Sequence, residues 1–463
     1  MPPACLRGLA HEFREPSACT LSRVHIRQRK ILSGTLAAAL IIGLAACTGS
    51  GADTNTSSIQ LEAKDYDLWD STVGEFLLDD LWSDRDAYDA SHLLMAPLDA
   101  AMRSTNTGWK EDFSDHFARF VEASSEVPST VTSKKLPRLQ YYYLASRFLS
   151  QATSEKVGVS VPQELPEILL GELEDTWLEY EAWQWEAPAF RGMRDRIEWK
   201  LTHNKVEKSY FRAIIDEELF TLAIAAEYRA YERKAVPREA WSPVVSDMLE
   251  VAETVIQQES TSTNDGWLFQ TGVWDDHPDY RYAGILEPSP NMQPKARDEV
   301  ATDSSHASRW PLWLQSFRDA YSTDSAQYRQ YDEDLELLAN QFVDQILVTP
   351  SGEFPYMRMN NYTDGWNGLY RWGYATTGED SGYRAFELSG SLLVVWWGML
   401  PDARVEAAYC ELAESFPLSD EAIALYVGPN TTRERHPLVE WPDFFTNGFA
   451  ELNSRLMCAL GDD

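Results

Sequence analysis

From Lys64 to Leu460 apolar residues recur every three or four positions, the spacing that gives a helix one apolar face. The pattern predicts helices over Leu136–Gln151, Pro166–Trp183, Tyr210–Arg233, Pro243–Glu259, Asp324–Val348, Leu388–Leu400, Ala403–Phe416 and Asp443–Leu460. In Asp324–Val348 the residues Leu335, Leu337, Leu338, Phe342, Ile346 and Leu347 form a stripe opposite Asp332, Asp334 and Gln341. Leu165-Pro166-Glu167 and Trp241-Ser242-Pro243 place proline in a first turn, where its missing N–H costs nothing. Alternating period-2 runs are scarce, so the fold class is all-α. No Ser/Pro-rich linker interrupts the stretch, which predicts one domain over residues 64–463.

The connections are unusual for a helical protein. Asn264–Pro294, Gly352–Gly382 and Gly428–Pro442 are long and rich in aromatics, Gly, Asp and Asn. Long ordered loops on a rigid scaffold usually carry function. Gly108-Trp109, Asp265-Gly266-Trp267 and Asp364-Gly365-Trp366 form a weak echo, compatible with repeated helical hairpins. This layout resembles the (α/α) toroid, or six-hairpin, carbohydrate-active enzymes. The resemblance implies a ring of hairpins with long aromatic-rich loops at one mouth, acting on a polysaccharide or oligosaccharide. An α-solenoid or helical bundle uses the same helices.

Composition sharpens the picture. Seventeen Trp stand beside 18 Phe and 21 Tyr, and 73 acidic against 40 basic residues give a formal net charge of −33. Such a body repels phosphate backbones, so nucleic acid is not expected as a partner. Arg27, Arg29 and Lys30 precede an apolar run, Ile31–Ala46, which is shorter than the roughly 20 residues of a membrane span. The run ends in Leu44-Ala45-Ala46-Cys47, followed by Thr48-Gly49-Ser50-Gly51. This resembles the lipobox of bacterial lipoproteins. The resemblance implies removal of residues 1–46, lipidation of Cys47, a polar tether over 47–63 and a membrane-anchored place in the cell envelope. An ordinary signal peptide that happens to stop at a Cys is the alternative. The leader holds six basic and two acidic residues, so its loss takes the net charge from −33 to −37. Of the remaining cysteines, Cys410 and Cys458 either pair in an oxidising compartment or stay as two buried thiols.

Three clusters carry candidate chemistry. Trp274-Asp275-Asp276-His277-Pro278-Asp279-Tyr280-Arg281-Tyr282 combines carboxylates, imidazole, guanidinium and aromatic faces. Asp303-Ser304-Ser305-His306-Ala307-Ser308-Arg309-Trp310 sets His306 and Arg309 at i, i+3, with Asp303 as a natural N-cap. Pro311 then means either a kinked helix or a helix starting at Pro311 after a structured loop. The third runs from Tyr356 to Tyr374 and includes Asn361, Trp366, Arg371 and Trp372, residues able to bond sugar hydroxyls and stack on sugar rings. Turn formation and loop packing explain the same clusters without function. His92, among apolar neighbours, reads as a core residue.

Gly-x-Ser-x-Gly, P-loop, Gly-x-Gly-x-x-Gly, His-Glu-x-x-His and Cys-x-x-Cys patterns are missing. Asp275, Asp276, His277 and Asp279 lack the register of a calcium loop, so neither a metal nor a cofactor is expected. The function expected is a surface-tethered glycoside hydrolase or polysaccharide lyase. A hydrolase would use Asp276 and Asp303 as its carboxylate pair. A lyase would use His306 or His277 as base, Tyr282 as acid, and Arg309 or Arg281 to neutralise a uronate. Substrate-binding candidates are Trp274, Tyr280, Arg281, Asn361, Trp366, Arg371 and Trp372. The acidic body favours a neutral glycan. The rivals are a non-catalytic glycan-binding or envelope-assembly lipoprotein, and a protein whose aromatics merely fill its core.

Overall fold

A computed structural model describes residues 59–461, apart from 127–134, 155, 186, 204, 264–265, 295–296, 374–380 and 430–434. The leader, Cys47 and most of the tether lie outside the described residues.

The described chain is mostly helical. It opens with α1 (Ala63–Ser71), a short α2 (Val73–Phe76), α3 (Asp84–Leu93), α4 (Met95–Arg103) and α5 (Thr107–Glu126). Then come α6 (Lys135–Ala152), α7 (Leu165–Leu178), α8 (Met193–Thr202), α9 (Asp216–Ala235) and α10 (Pro243–Glu259). A single turn, α11 (Ser304–Ala307), leads into α12 (Trp310–Asp319) and α13 (Ala326–Gln341). The end of the chain adds α14 (Ala403–Glu414), α15 (Asp420–Val427) and α16 (Phe449–Leu460). Among the described residues three two-stranded antiparallel pairs decorate the loops: β1 (Glu181–Ala182) with β2 (Phe190–Arg191), β3 (Ser260–Ser262) with β4 (Trp267–Phe269), and β5 (Leu347–Val348) with β6 (Arg358–Met359). None of the described helices is long and apolar enough to cross a membrane.

Local chemistry explains most boundaries. Ser242 caps α10 by accepting the N–H of Val245 at 3.3 Å, with Pro243 in the first turn. Ser325 caps α13 in the same way through Tyr328, at 3.0 Å. Helices α6 and α9 are buried almost all round from Leu139 to Ser150 and from Glu218 to Ala230, the mark of inner helices. Helix α6 packs on α3 and α9; α9 packs on α10 and α12; α12 packs on α13. Helix α16 packs on α14 and also on α1 and α4, so the last described helix meets the first. Cys410 and Cys458 join α14 to α16 as a disulfide, with Cα atoms 4.6 Å apart.

The structure corrects three expected helices. The run Leu388–Leu400 forms two 3₁₀ stretches, Ser389–Val394 and Trp396–Met399, broken by Val395 at φ +63°. Its glycines let other segments come close: a Cβ on Gly390 would stand 2.1 Å from the Tyr426 carbonyl, and one on Gly398 2.1 Å from Met457. The expected helix Tyr210–Arg233 is a 3₁₀ turn over Ser209–Arg212 and then α9, which begins only at Asp216. The acidic triplet Asp216-Glu217-Glu218 suits a helix N-terminus. Asp443–Leu460 is likewise split, with a 3₁₀ turn at Asp443–Phe445 and Gly448 at φ +99° before α16. The Gly-Trp echo is no structural repeat. Trp109 lies on α5 stacked on Trp69 at 4.0 Å, Trp267 is buried in β4, and Trp366 is half exposed in a loop.

One guanidinium ties the inner helices together. Arg147 on α6 donates to both carboxylate oxygens of Asp99 on α4, at 2.8 and 2.6 Å, and to Glu227 on α9 at 2.9 Å. Ser316 on α12 donates to Glu227 at 2.6 Å and meets the Tyr143 hydroxyl at 2.8 Å. Arg147→Ala leaves two buried carboxylates without their cation. It is expected to cost about 3–5 kcal/mol in denaturant unfolding. A loss below about 1 kcal/mol, the value of an exposed pair, would contradict this role.

Candidate active site

The loop from Gln270 to Ala301 is stapled by Asp275, whose carboxylate accepts the N–H groups of Glu299 and Val300, both at 2.9 Å. Within it a 3₁₀ turn starts at Pro278, as a fixed proline φ favours. The third cluster is laced to the second through the backbone. Ser304 donates to the Asn361 carbonyl at 2.9 Å, and Thr363 to that of Thr302 at 3.0 Å. It docks on the first cluster through Arg371, whose N–H donates to the Asp279 carbonyl at 2.9 Å and whose Nε donates to the Asp279 carboxylate at 2.8 Å. Three loops thus converge on the start of α9 and the entrance of α12.

At their meeting point lies a cavity of about 250 Å³, walled by Trp185, Trp274, Trp310, Trp313, Phe269 and Tyr370. Asp216, Glu217, Asp279, Asp303, His277, His306 and Arg371 supply its charge and proton chemistry. A second cavity of about 190 Å³ adjoins it, and His306 and Arg371 line both. Each is smaller than the roughly 300–1,000 Å³ of small-molecule sites, and only together do they reach that range.

Asp303 organises the first cavity. It is 1% exposed and caps α11 by accepting the His306 N–H at 3.0 Å. The His306 Nδ1 stands 2.8 Å from its Oδ2. The Tyr280 hydroxyl donates to Asp303 at 2.9 Å and accepts the Asp303 N–H at 3.2 Å. Burial pushes the Asp303 carboxyl up, but the imidazole and amide of His306 together with Arg371 hold it well below the usual carboxylate range. Burial, reinforced by the Asp303 charge, raises the phenols of Tyr280 and Tyr370 far above theirs.

The two imidazoles are held in opposite senses. A carboxylate can only accept, so His306 gives Asp303 its Nδ1–H, and its Nε2 carries a lone pair when the ring is neutral. His277 is the reverse. Its Nδ1 accepts the N–H of Asp279 at 3.2 Å, which leaves the proton on Nε2. Burial, ahead of Arg371 and His306 and against the pull of Asp279, lowers the His277 pKa and keeps that ring neutral. With both rings neutral, one cavity therefore presents a lone pair at His306 and a hydrogen-bond donor at His277.

The expected site residues fall into two groups. Trp274, His277, Tyr280, Asp303, His306 and Arg371 line the first cavity, and Arg309 lines the second. The others lie elsewhere. Asp276 is exposed and contacts the Ser209 N–H at 3.4 Å, away from both linings, so the carboxylate pair Asp276/Asp303 is not assembled. Tyr282 and Trp372 pack with Leu369 in a small cluster of their own, and exposed Arg281 lies 5.0 Å over the Tyr282 ring. Asn361 is fully buried, donating to the Gly368 and Arg384 carbonyls at 2.8 and 2.7 Å as a loop staple. Trp366 is 50% exposed under the Arg297 guanidinium, 3.8 Å from its ring. His92 is buried as expected, yet its Nε2 accepts from Arg309 Nε at 3.2 Å on the wall of the second cavity. Tyr370 belongs to the third cluster and lines the first cavity with it, and Trp185, whose spacing suggests a core residue, stands on its wall. Asp216 and Glu217 were not anticipated; the acidic triplet at the start of α9 was the available signal. Among the described residues no group of three or more His, Cys, Asp or Glu side chains is placed to hold a metal.

Asp303→Asn exchanges a carboxylate for a group that presents N–H or carbonyl to His306, and removes a charged acceptor. A loss of about 1.5–3 kcal/mol at neutral pH is expected, the range for hydrogen bonds to charged groups. Because the folded-state pKa is depressed, that stability is present above the unfolded value of about 3.9 and is lost as pH falls below it. The gap between wild type and variant in urea unfolding should therefore narrow below about pH 4, and a gap unchanged by pH would contradict the assignment. Set against models of protein families, curated proteins and solved structures, the chain finds no match.

Proposed function

We propose that the protein is a carbohydrate-active enzyme working by acid–base chemistry, with elimination favoured over hydrolysis. The observation that carries the reading is His306, held by a buried carboxylate so that its Nε2 lone pair belongs to an aromatic-walled cavity. Aromatic walls suit the apolar faces of sugar rings, and Asp216, Glu217 and Gln270 suit their hydroxyls. The scaffold reading is an (α/α) toroid. Its supports are the inner helices α6, α9 and α12, each backed by an outer one, and the contact of α16 with α1 and α4. An open solenoid would leave its first and last repeats apart.

Elimination fits the protonation pattern better than hydrolysis. A glycosidase acid must hold a proton on its carboxyl group. Here Asp303 is kept ionised, and Asp279, Asp216 and Glu217 sit in ion pairs with Arg371, Arg309 and Arg196. In the proposed step His306 Nε2 takes the ring proton beside a uronate carboxylate, whose charge Arg371 offsets. The C–H electrons form a C=C bond, the glycosidic C–O bond breaks, and the His306 imidazolium returns its new proton to the leaving oxygen, to which neutral His277 donates a hydrogen bond from Nε2. The lipobox reading adds a lipid anchor at Cys47, which places this chemistry on an envelope membrane.

The test is turnover on neutral and uronate polysaccharides, following reducing ends and the ultraviolet absorbance of unsaturated uronate together. Both signals are expected, and His306→Ala should lower kcat by roughly 10²–10⁴ while binding persists. Reducing ends alone would point to a hydrolase. Saturable binding without turnover would point to a glycan receptor, and an unaffected His306→Ala would remove the base assignment.

A further inference from the structure

Burial alternates along the segment that leaves β1. Ala182 and Gln184 are buried, Trp183 is 56% exposed, and Trp185 is half-buried. Alternation sends successive side chains to opposite sides, so the two indoles share the outer one. Their ring centroids are 5.1 Å apart at an interplanar angle of 71°. Such an edge-to-face contact covers at most one face of Trp183. Trp185 lines the first cavity, while Trp183 lies outside its lining.

The aromatic surface continues past Trp185. Half-buried Tyr210 meets Trp185 at 5.4 Å and His277 at 4.7 Å, edge to face in both cases. A run of rings therefore leads from exposed Trp183 to an imidazole on the wall of the first cavity.

A single exposed aromatic needs no explanation, and Trp366 is one, with Arg297 over its ring. Trp183 differs in its continuity with the cavity and in how firmly its backbone is held. Arg196, 1% exposed, donates to the Trp183 carbonyl at 3.0 Å and to Glu217 and Glu218 at 2.9 and 2.8 Å. Glu217 lines the first cavity, so one buried guanidinium ties the backbone of the exposed indole to the cavity rim. Gln184 Nε2 donates to the Phe211 carbonyl, which fixes the same segment to the 3₁₀ turn that carries Tyr210. An exposed apolar ring on a backbone with buried anchors is built as a platform, unlike a ring at a loose loop tip.

We infer that Trp183 is an outer subsite of the first cavity, a stacking platform for a sugar ring further along the same chain. The inference rests on the reading of the first cavity as a saccharide site and adds the substrate class: a glycan chain long enough to cover both indoles. An indole stacks on the C–H face of a ring, so the platform takes neutral and acidic sugars alike. Trp183 is a binding residue with no part in the proton transfers.

The experiment begins with affinity electrophoresis of the full-length protein through gels holding xylan, glucomannan, alginate or polygalacturonate. Calorimetry then compares the dimer and the hexamer of each polysaccharide that retards it. At least one is expected to do so, and its hexamer to bind at least about tenfold tighter than its dimer. Trp183→Ala should weaken hexamer binding by roughly tenfold and dimer binding by less than about twofold. Trp183→Tyr, which keeps an aromatic face, should restore most of the hexamer affinity. No retardation by any of the four, a hexamer gain intact in Trp183→Ala, or equal losses for dimer and hexamer would overturn the inference. Equal losses in Trp183→Ala and Trp183→Tyr would overturn it too, because the aromatic face would then contribute nothing. Trp183-dependent binding of long chains with no turnover leaves this inference standing and removes the enzyme reading. Turnover with a length preference that ignores Trp183 does the opposite.

Discussion

A carboxylate with 1% exposure survives only if donors replace its lost water, and Asp303 draws its donors from two separate segments. His306 answers with imidazole and amide, and Tyr280 with its hydroxyl from the 3₁₀ turn after Pro278. The backbone of the same residue bridges to Tyr362 in the third loop. Satisfying one buried charge therefore ties together the three loops that meet at the first cavity. It also fixes which nitrogen of His306 is protonated. Structure and chemistry share one cause here: the carboxylate that ties the loops also takes the Nδ1–H of His306, so Nε2 is the nitrogen through which that ring gains or loses a proton.

The scaffold beneath follows a similar rule at larger scale. Arg147 holds Asp99 and Glu227, so three inner helices meet at one guanidinium, and Ser316 brings in α12. Helix α9 then carries this network near its middle and Asp216 and Glu217 at its first turn, on the cavity. Misplacing α9 would shift the core and the site together.

Much of the helical layout was legible in the sequence. Pro243–Glu259 is helical over the predicted span, because Ser242 and Pro243 announce its start. Leu388–Leu400 was misjudged because its apolar spacing is helical, while the close approach of Tyr426 and Met457 to Gly390 and Gly398 is a tertiary fact. At the site, Asp303 was legible as an N-cap and His306 with Arg309 as an i, i+3 pair, both local signals. The second carboxylate beside Asp303 was sought in Asp276, its neighbour only in composition; which groups face each other across a cavity depends on loop docking, and no spacing reports that.

The central claim is that Asp303 keeps the His306 proton on Nδ1 and so makes Nε2 a base. Long-range ¹⁵N–¹H correlation of the imidazole rings at neutral pH reads this directly in the resting protein. The account predicts an Nδ1–H tautomer for His306 and an Nε2–H tautomer for His277. A His306 proton residing on Nε2, or the same tautomer at both rings, would contradict it.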